Sequence, residues 1–420
     1  MAKISKKAEK FKRKMSPVKQ IMSFADSKYI ESLGLKSEEL ISMAGGWVNH
    51  ESPEELRKAY EKLVSQKKTF HKCGGYSPTF GDNEFKKSVC IFEKELYGMR
   101  ISEKQIAAGT GSTQLTMNLF STILDPGDKI LLLDPYYCNY PTQLLTVVPD
   151  IKIISFPVID TDKWEFIADK KIIEFKEFIL ENKPKVILLT TPDNPTSKVL
   201  SEKFMNETLS AAKKVDAFIV IDFAYKELIF DEEFPSYFSW APNENFVSIR
   251  SNSKWCRGLG RRLGWIEAPE YVIEAMESIQ NSTSLCPDTL HQMAFTEFIK
   301  KSIENKTLIK YISDTRKIYK NAVEKTSKLL KEYFDFPIIE PEGGMYFFIK
   351  VNSDGTKFVE NALKKAGVLF VPGWGFGRTG INAIRLSVGP LVENISKIEE
   401  GLARVSFHLN EIIEKNDQND

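Results

Sequence analysis

The chain has few of the residues that build metal sites and disulfide frameworks. Its 420 residues include four histidines and five cysteines. The cysteines are odd in number and widely separated, which does not indicate a disulfide framework and favours a reducing, cytoplasmic location. The histidines form no helical metal-ligand pair and stand apart from any cysteine at zinc spacing. We therefore expect no metal and no disulfide scaffold.

The chain also lacks an excess of charge of one sign and a long apolar run. Its 58 basic and 57 acidic residues give a formal net charge of +1, so we expect no nucleic-acid or membrane partner. The apolar runs have the length of strands, as at 186–189, and are too short to span a membrane. The lysine-rich first twenty residues contain no apolar core, so we predict a solvated amphipathic helix there rather than a targeting peptide.

The chain is long enough, and contains enough hydrophobic residues, to form two domains. Hydrophobic residues make up 42% and charged residues 27%, which is typical of a folded globular protein. Between residues 104 and 250, short apolar runs alternate with segments of helical period, a pattern typical of a parallel sheet covered by helices. We predict an α/β fold with a large domain at 51–305, whose mostly parallel sheet is sandwiched by helices. A smaller α+β domain is expected from 1–50 and 306–420.

Polar residues follow the predicted strands of the large domain. In an open parallel sheet, ligands bind beyond the carboxyl ends of the strands. Segments that carry hydroxyl, amide, carboxyl or amine groups begin at these positions: Gly109, Asp134, Asp193, Asp222 and Ser251. This agreement between position and residue type predicts one ligand site at that edge of the sheet.

Three of these segments carry groups that suit a phosphorylated aldehyde. The amine of Lys254 can form a Schiff base, while Arg262 and nearby serines can hold a phosphate. Residues 111–113 begin a helical segment, where backbone N–H groups bind anions. Asp222 ends a central strand and needs a cation, such as the protonated ring nitrogen of pyridoxal phosphate. The plain alternatives are a surface turn, a capped helix start and a turn aspartate.

Further residues could contact a cofactor or a substrate. Arg385 lies in an apolar strand, and its planar fork matches either a substrate α-carboxylate or a structural acidic residue. Asn194 and Tyr225 could reach a phenolic oxygen, and Tyr137 could stack on a pyridine ring, although each aromatic would also suit a core. Gly46 would let the backbone approach a ligand closely.

Taken together, these segments resemble the class I/II aminotransferases among the fold-type I pyridoxal phosphate enzymes. The resemblance extends from 42–46 to 384–389 and includes 341–346 and 371–376. It implies an enzyme that transfers an amino group from an L-amino acid to a 2-oxo acid through a Lys254 aldimine of pyridoxal phosphate. It also implies a homodimer with shared active sites.

The resemblance assigns a role to each candidate residue. Lys254, Asp222 and Tyr225 are expected to be catalytic, and Arg385, Asn194 and Gly46 to bind the substrate. Tyr76 is expected to reach the phosphate bound by the neighbouring subunit. The expected cofactor-binding residues are Gly111, Ser112, Thr113, Tyr137, Asn194, Asp222, Tyr225, Ser251, Lys254, Arg262 and Tyr76.

The chain departs from the family pattern on either side of these residues. Ser197 stands where a glycine commonly follows Asn-Pro-Thr. Trp255 and Arg257 stand after Lys254, where smaller residues are usual. We expect Trp255 and Arg257 to shape an unusual entrance or to face the partner subunit.

Two other functions stay open from the residues alone. A pyridoxal phosphate-dependent carbon–sulfur β-lyase shares the fold and the lysine, and a binding or regulatory protein could keep the fold without turnover. The full set of candidate residues argues against the second. The aromatic residues Trp47, Tyr76 and 374–376 suggest an apolar or aromatic pocket for the substrate side chain.

Overall fold

The structure, a computed structural model, describes residues 3–13 and 17–413. The acidic tail at 416–420, predicted to be disordered, lies outside the described residues. The helices of the described chain are α1 (Lys6–Arg13), α2 (Pro17–Ser23), α3 (Ser27–Ser32), α4 (Glu54–Ser65), α5 (Lys67–Cys73), α6 (Asn83–Tyr97), α7 (Ser112–Ile123), α8 (Tyr140–Val147), α9 (Ile172–Asn182), α10 (Glu202–Lys214), α11 (Glu270–Thr283), α12 (Thr289–Glu304), α13 (Leu308–Tyr333), α14 (Gly355–Ala366), α15 (Ile395–Phe407) and α16 (Leu409–Ile413).

The strands fall into a large sheet, a small sheet and two short pairs. In chain order they are β1 (Ile41–Ser42), β2 (Ile106–Gly109), β3 (Lys129–Asp134), β4 (Lys152–Pro157), β5 (Ile159–Asp160), β6 (Glu165–Phe166), β7 (Val186–Thr190), β8 (Phe218–Asp222), β9 (Phe246–Ser251), β10 (Gly264–Glu267), β11 (Ile338–Ile339), β12 (Tyr346–Lys350), β13 (Val368–Leu369), β14 (Val371–Pro372) and β15 (Ala383–Ser387).

The large sheet has seven strands in the order β2-β10-β9-β8-β7-β3-β4. Strand β10 runs antiparallel to both of its neighbours, and the other pairs are parallel. The mostly parallel sheet and the central position of β8, which ends in Asp222, are therefore confirmed. Strand β10 was not predicted, because it begins with a glycine and ends with a glutamate and so is not an apolar run.

Alternate residues of the central strands face opposite helical layers. Ile187 and Ile219 pack into a core that includes side chains from α4, α6, α10 and α12. Leu188 and Val220 pack on the other face, into a core that includes side chains from α7, α8 and α11. Burial on both faces explains why these strands read as unbroken apolar runs.

A smaller layer forms around the four-stranded antiparallel sheet β11-β12-β15-β14. Its core includes side chains from α13, α14 and α15, together with Ile41 and Met43 from the N-terminal segment. Strand β1 pairs in parallel with β13. We propose that the chain divides into 51–305 and the combined segments 1–50 and 306–420. The apolar cores around the large and small sheets support this division, although Leu308 and Ile312 pack into the core of the large sheet.

The N-terminal segment differs from the sequence-based expectation in one respect. The side chains at 6–9 in α1 are exposed, as predicted for a solvated helix. In α2, however, Val18 and Ile21 are partly buried against the cluster that contains Phe376, so Val18, which falls within the predicted range, is not solvated. Along the described chain, no helix combines the length and the hydrophobicity needed to cross a bilayer.

Candidate active site

One cavity of about 610 Å³ lies at the carboxyl ends of β7, β8 and β9, beside β15 of the small sheet. Its lining includes every residue predicted for the site except Gly111 and Tyr76. The predicted residues that line it are Gly46, Ser112, Thr113, Tyr137, Asn194, Asp222, Tyr225, Ser251, Lys254, Arg262 and Arg385.

The start of α7 forms an anion cradle with Arg262. Gly111 precedes the helix with a φ of 81°, and a Cβ on it would lie 2.6 Å from Nη2 of Arg262. The absence of that side chain lets the guanidinium approach the N-terminal backbone of α7, where unpaired N–H groups attract anions. Ser251 contributes a hydroxyl, which accepts a hydrogen bond from the backbone N–H of Ser253 at 3.1 Å. This group of donors could hold a phosphate.

The side chain of Lys254 is partly buried, and its amine donates a hydrogen bond to the carbonyl oxygen of Gly46. Burial lowers the pKa of Lys254 to about 8, and the positive charges of Arg385 and Arg262 lower it further, while Asp222 opposes the shift. A larger fraction of the amine is therefore neutral near neutral pH than for an exposed lysine, and only the neutral amine is nucleophilic.

The loop that carries Lys254 is tied to the segment before α4 by two further contacts. The imidazole of His50 contacts the carbonyl oxygen of Trp255 through Nε2 at 3.1 Å and the hydroxyl of Tyr319 through Nδ1 at 2.9 Å. Because a carbonyl can only accept, the proton is assigned to Nε2. Burial lowers the pKa of His50 to about 4, so the ring is neutral. Arg257 adds a hydrogen bond to Oδ1 of Asn49 at 2.9 Å. Sequence reasoning assigned His50 no role.

Trp255 does not shape the cavity entrance. Its side chain is 1% exposed and stacks on Phe92 and Phe298, with ring centroids 5.1 and 6.0 Å apart. The prediction that Trp255 lines an entrance or faces a partner was therefore wrong, because the chain directs the indole into the core. Arg257 is exposed, and for this residue the partner-facing role stays a prediction.

Ser197 takes a backbone conformation that favours glycine. Its φ is 58°, in the left-handed region, where a side chain is strained unless its surroundings hold it. The hydroxyl accepts a hydrogen bond from the backbone N–H of Tyr346 at 2.9 Å. The hydrogen bond to Tyr346 holds Ser197 in this conformation and links the Asn194 turn to β12.

Asp222 is held by two donors at the end of β8. The hydroxyl of Tyr140 donates to Oδ2 at 2.9 Å, and the backbone N–H of Ala224 donates to Oδ1 at 3.0 Å. Burial nevertheless raises the pKa of Asp222, although both hydrogen bonds and the charge of Lys254 oppose the shift. A cationic ligand atom beside the carboxylate would offset this burial. Tyr140 was not predicted to take part.

Arg385 has no acidic partner in the part of the chain that the structure describes. Its Nη1 donates to Oδ1 of Asn194 at 2.9 Å, and Nη2 donates to the carbonyl oxygen of Ala44 at 2.8 Å. The guanidinium lies over the rings of Tyr346 and Phe376, at 4.3 and 5.0 Å from their centroids. Its Nε is buried without a hydrogen-bond partner. A buried guanidinium that lines the cavity without an acidic partner suits an anionic ligand.

Two tyrosines complete the wall of the cavity. The hydroxyls of Tyr225 and Tyr346 are 2.7 Å apart, and burial raises the pKa of Tyr225 well above its ordinary value. Tyr225 is therefore neutral, and either hydroxyl of the pair can donate; Tyr346 is a second hydroxyl that sequence reasoning did not assign. Tyr137 lines the same cavity and contacts Tyr140 edge to face, with centroids 5.3 Å apart.

Tyr76 lies away from the cavity of its own chain. It is 86% exposed, in a loop that two side chains of α12 hold in place. Thr289 donates to the carbonyl oxygen of Gly75 at 2.8 Å, and Gln292 donates to the hydroxyl of Ser77 at 3.0 Å. The role expected for Tyr76 involves a neighbouring subunit, and it stays a prediction.

The donor set fits pyridoxal phosphate better than a metal. The Gly111–Arg262 cradle suits a phosphate, the Asp222 carboxylate suits a protonated ring nitrogen, and the Lys254 amine suits an aldehyde. Arg385 lines the same cavity without an acidic partner among the described residues, and its guanidinium suits a carboxylate. Within residues 3–13 and 17–413, no group of three or more His, Cys, Asp or Glu side chains is placed to hold a metal ion.

Comparisons with known proteins agree with this geometry. A sequence profile of the family described as aminotransferase class I and II matches residues 38–402. The aspartate aminotransferase of Thermotoga maritima is 27% identical over 379 residues, which cover 89% of this chain and 93% of the relative. The aromatic-amino-acid aminotransferase 2 of Thermococcus litoralis is 26% identical and covers 89% of this chain and 92% of the relative.

Solved structures show the same fold. The aspartate aminotransferase of Thermus thermophilus with maleate has a TM-score of 0.82 at 21% identity, over 97% of this chain and all of that chain. The aromatic aminotransferase of Pyrococcus horikoshii has a TM-score of 0.78 at 24% identity, over 91% of this chain and 99% of that chain. The predicted fold-type I architecture is confirmed.

Proposed function

Because this chain belongs to the class I and II aminotransferases, we propose that it binds pyridoxal phosphate around Lys254 to carry out amino transfer. The reaction moves the amino group of an L-amino acid onto a 2-oxo acid. The observation that carries the proposal is that Lys254, Asp222 and Arg385 line one cavity. The family match favours transfer over the lyase and the non-catalytic protein that the sequence left open.

When bound, pyridoxal phosphate supplies an aldehyde for the substrate amine and a ring that withdraws electrons from the substrate α-carbon. The backbone at the start of α7, with the hydroxyls of Ser112 and Thr113 and the guanidinium of Arg262, holds the phosphate. Ser251 adds a hydroxyl at the same end. Asp222 would pair with the ring nitrogen and keep it protonated, and Tyr140 donates the hydrogen bond that holds the carboxylate in place.

The remaining cofactor contacts would come from an amide and two tyrosines. Since Oδ1 of Asn194 accepts from Arg385, its Nδ2 group remains as the donor for the phenolic oxygen. Tyr225 donates its neutral hydroxyl to the same oxygen. Tyr137 offers a ring face for stacking on the pyridine.

Arg385 and Lys254 would act on the substrate. The guanidinium of Arg385, whose Nη1 and Nη2 each carry a second N–H, would bind the α-carboxylate and fix the orientation of the bond that breaks at the α-carbon. The Nζ of Lys254 takes the α-proton, and a pKa near neutrality suits a general base. The carbonyl oxygen of Gly46 accepts a hydrogen bond from this amine and holds it at the substrate end of the cavity.

The assembly and the location of the protein follow the same proposal. We propose a homodimer in which Tyr76 of one subunit reaches the phosphate bound by the other, and the exposure of Tyr76 on an anchored loop supports it. All five cysteines are free thiols, which suits a reducing compartment, and we propose a cytoplasmic location.

The test is a panel of L-amino acids incubated with the purified protein, with and without 2-oxoglutarate. Transfer predicts glutamate and the 2-oxo acid of each donor in equal amounts, and only when 2-oxoglutarate is present. Pyruvate and ammonia released from cysteine-like substrates without an acceptor would support the lyase instead. No product from any donor would support a binding protein.

A further inference from the structure

One end of the cavity lies beyond the residues proposed to contact the cofactor, and this end is apolar. After residues for the phosphate, the ring and the α-carboxylate are set aside, the lining that remains is mostly hydrophobic. The side chains that decide its character are Val18, Ile21, Met22, Ala25, Leu369 and Phe376. Four of these six come from α2 and the turn that follows it.

Helix α2 packs on the turn that carries Phe376. Ile21 packs into the same apolar cluster as Phe376, and a Cβ on the neighbouring Gly375 would lie only 3.4 Å from Cδ1 of Ile21 and from Cβ of Pro17. At its carboxyl end, Phe24 is 6% exposed in the core of the smaller layer. Helix α2 is therefore a fixed wall of the cavity and is anchored at both ends.

The carboxylate position places the substrate side chain near this wall. The ring of Phe376 lies under the guanidinium of Arg385, 5.0 Å from its Cζ. A substrate whose α-carboxylate is bound by Arg385 therefore has its α-carbon close to Phe376, and Ile21 packs into the same apolar cluster as Phe376. The side chain that leaves this α-carbon meets apolar atoms.

Charge at the site disfavours a second carboxylate. Among the described residues of the lining, the cations are Lys254, Arg262 and Arg385, and each already has a role towards the cofactor or the α-carboxylate. A carboxylate placed against Val18 and Ile21 would lose its hydration without gaining a partner.

We propose that α2 selects the amino donor, and that this donor carries an uncharged, apolar side chain of the leucine, methionine or phenylalanine class. The inference rests on the aminotransferase function proposed above and specifies its substrate class. Ile21 is the specificity-determining residue, because it is partly buried, contacts the Phe376 turn and lines the cavity.

The wild-type protein provides the first test. We expect kcat/KM for phenylalanine and leucine to exceed that for aspartate by about tenfold or more, the usual range for discrimination by an apolar pocket. A binding measurement with unreactive carboxylates gives a second readout. By calorimetry, 3-phenylpropanoate should bind more tightly than succinate by a similar factor.

The variant Ile21→Arg tests the wall itself. An arginine there should lower kcat/KM for phenylalanine and raise it for aspartate, and it should reverse the preference between 3-phenylpropanoate and succinate. The matched control is Ile173→Arg on α9, since Ile173 is 74% exposed and lies outside the cavity lining. Ile173→Arg should change neither the ratio of kcat/KM for phenylalanine to that for aspartate nor the ratio of affinities for 3-phenylpropanoate and succinate. The melting temperature of each variant shows whether it is folded.

The outcomes separate the inference from the function on which it rests. If no donor yields glutamate, the proposed function fails, and the two carboxylate probes still report on the pocket. If the wild type transfers from aspartate as well as from phenylalanine, or binds succinate as tightly as 3-phenylpropanoate, the inference is overturned and amino transfer stands. The inference would also be overturned if a folded Ile21→Arg variant kept the wild-type preference for phenylalanine over aspartate and for 3-phenylpropanoate over succinate.

Discussion

The guanidinium of Arg385 donates a hydrogen bond from Nη1 to Oδ1 of Asn194 at 2.9 Å, although 191 residues separate them in the chain. Arg385 lies on β15 of the small sheet, whereas Asn194 lies in the turn after β7 of the large sheet. The contact therefore fixes the carboxylate-binding group relative to the residues that surround Lys254. It also determines which end of the Asn194 amide is left for a ligand.

Replacing Arg385 with lysine should keep the charge and remove the planar fork. We expect kcat/KM for every amino donor to fall by a factor that corresponds to about 2–5 kcal/mol, the usual effect of truncating a buried, hydrogen-bonded charge pair. Arg378→Lys is the control, because Arg378 is exposed and lies outside the cavity lining. Kinetics of the single amino-donor half-reaction measure the effect. Equal losses in both variants would contradict the role of Arg385.

Gly111→Ala should weaken cofactor binding. The added Cβ would lie 2.6 Å from Nη2 of Arg262 and would fill the phosphate cradle. Gly127→Ala is a matched control, since Gly127 also has a positive φ, of 88°, but a Cβ there meets nothing within 4 Å. Both changes carry a backbone strain of about 1–3 kcal/mol. Only Gly111→Ala should raise the dissociation constant for pyridoxal phosphate, measured by fluorescence titration.

The lowered pKa of Lys254 predicts a pH dependence for cofactor capture. Because burial lowers this pKa from 10.5 to about 8, the neutral amine increases as pH rises through 8. The rate at which cofactor-free protein reacts with pyridoxal phosphate should therefore reach half of its maximum near pH 8, as followed by stopped-flow absorbance. A midpoint near 10.5, the ordinary value, would contradict the buried environment. Lys254→Ala should show no such rise.

Trp255 and Arg257 should differ sharply in their contribution to stability. Trp255→Ala removes a buried indole between two phenylalanine rings, and we expect the free energy of unfolding to fall by about 3–5 kcal/mol. Arg257→Ala removes an exposed contact to Asn49, which should cost less than about 1 kcal/mol. Urea denaturation measures both. Similar small losses would indicate that Trp255 is not in the core.

The sequence was informative where local pattern and chemistry coincide. Strands β3, β7 and β8 were predicted because each is an unbroken apolar run, as burial on both faces requires. Most candidate residues were predicted together because they follow such strands, and the carboxyl ends of parallel strands meet at one edge of a sheet. Strand β10 escaped because it begins with a glycine and ends in Glu267, which is buried beside Arg250 rather than apolar.

The residues that were missed depend on contacts between distant parts of the chain. Tyr140 bonds to Asp222 across 82 residues, and His50 bonds to Trp255 across 205 residues. Neither has a local signal, since a tyrosine at a helix start and a single histidine suit many roles. The burial of Trp255 was missed for the same reason, because its side chain packs on Phe92 from α6 and Phe298 from α12.

The most direct test of the account is the site of covalent attachment of pyridoxal phosphate. The purified protein, loaded with the cofactor, is reduced with borohydride, digested and mapped by mass spectrometry. We predict a pyridoxyl phosphate mass on the peptide that contains Lys254, and no labelled peptide in a folded Lys254→Ala variant. A label on another lysine of the wild type, or one that persists in Lys254→Ala, would contradict the assignment of Lys254.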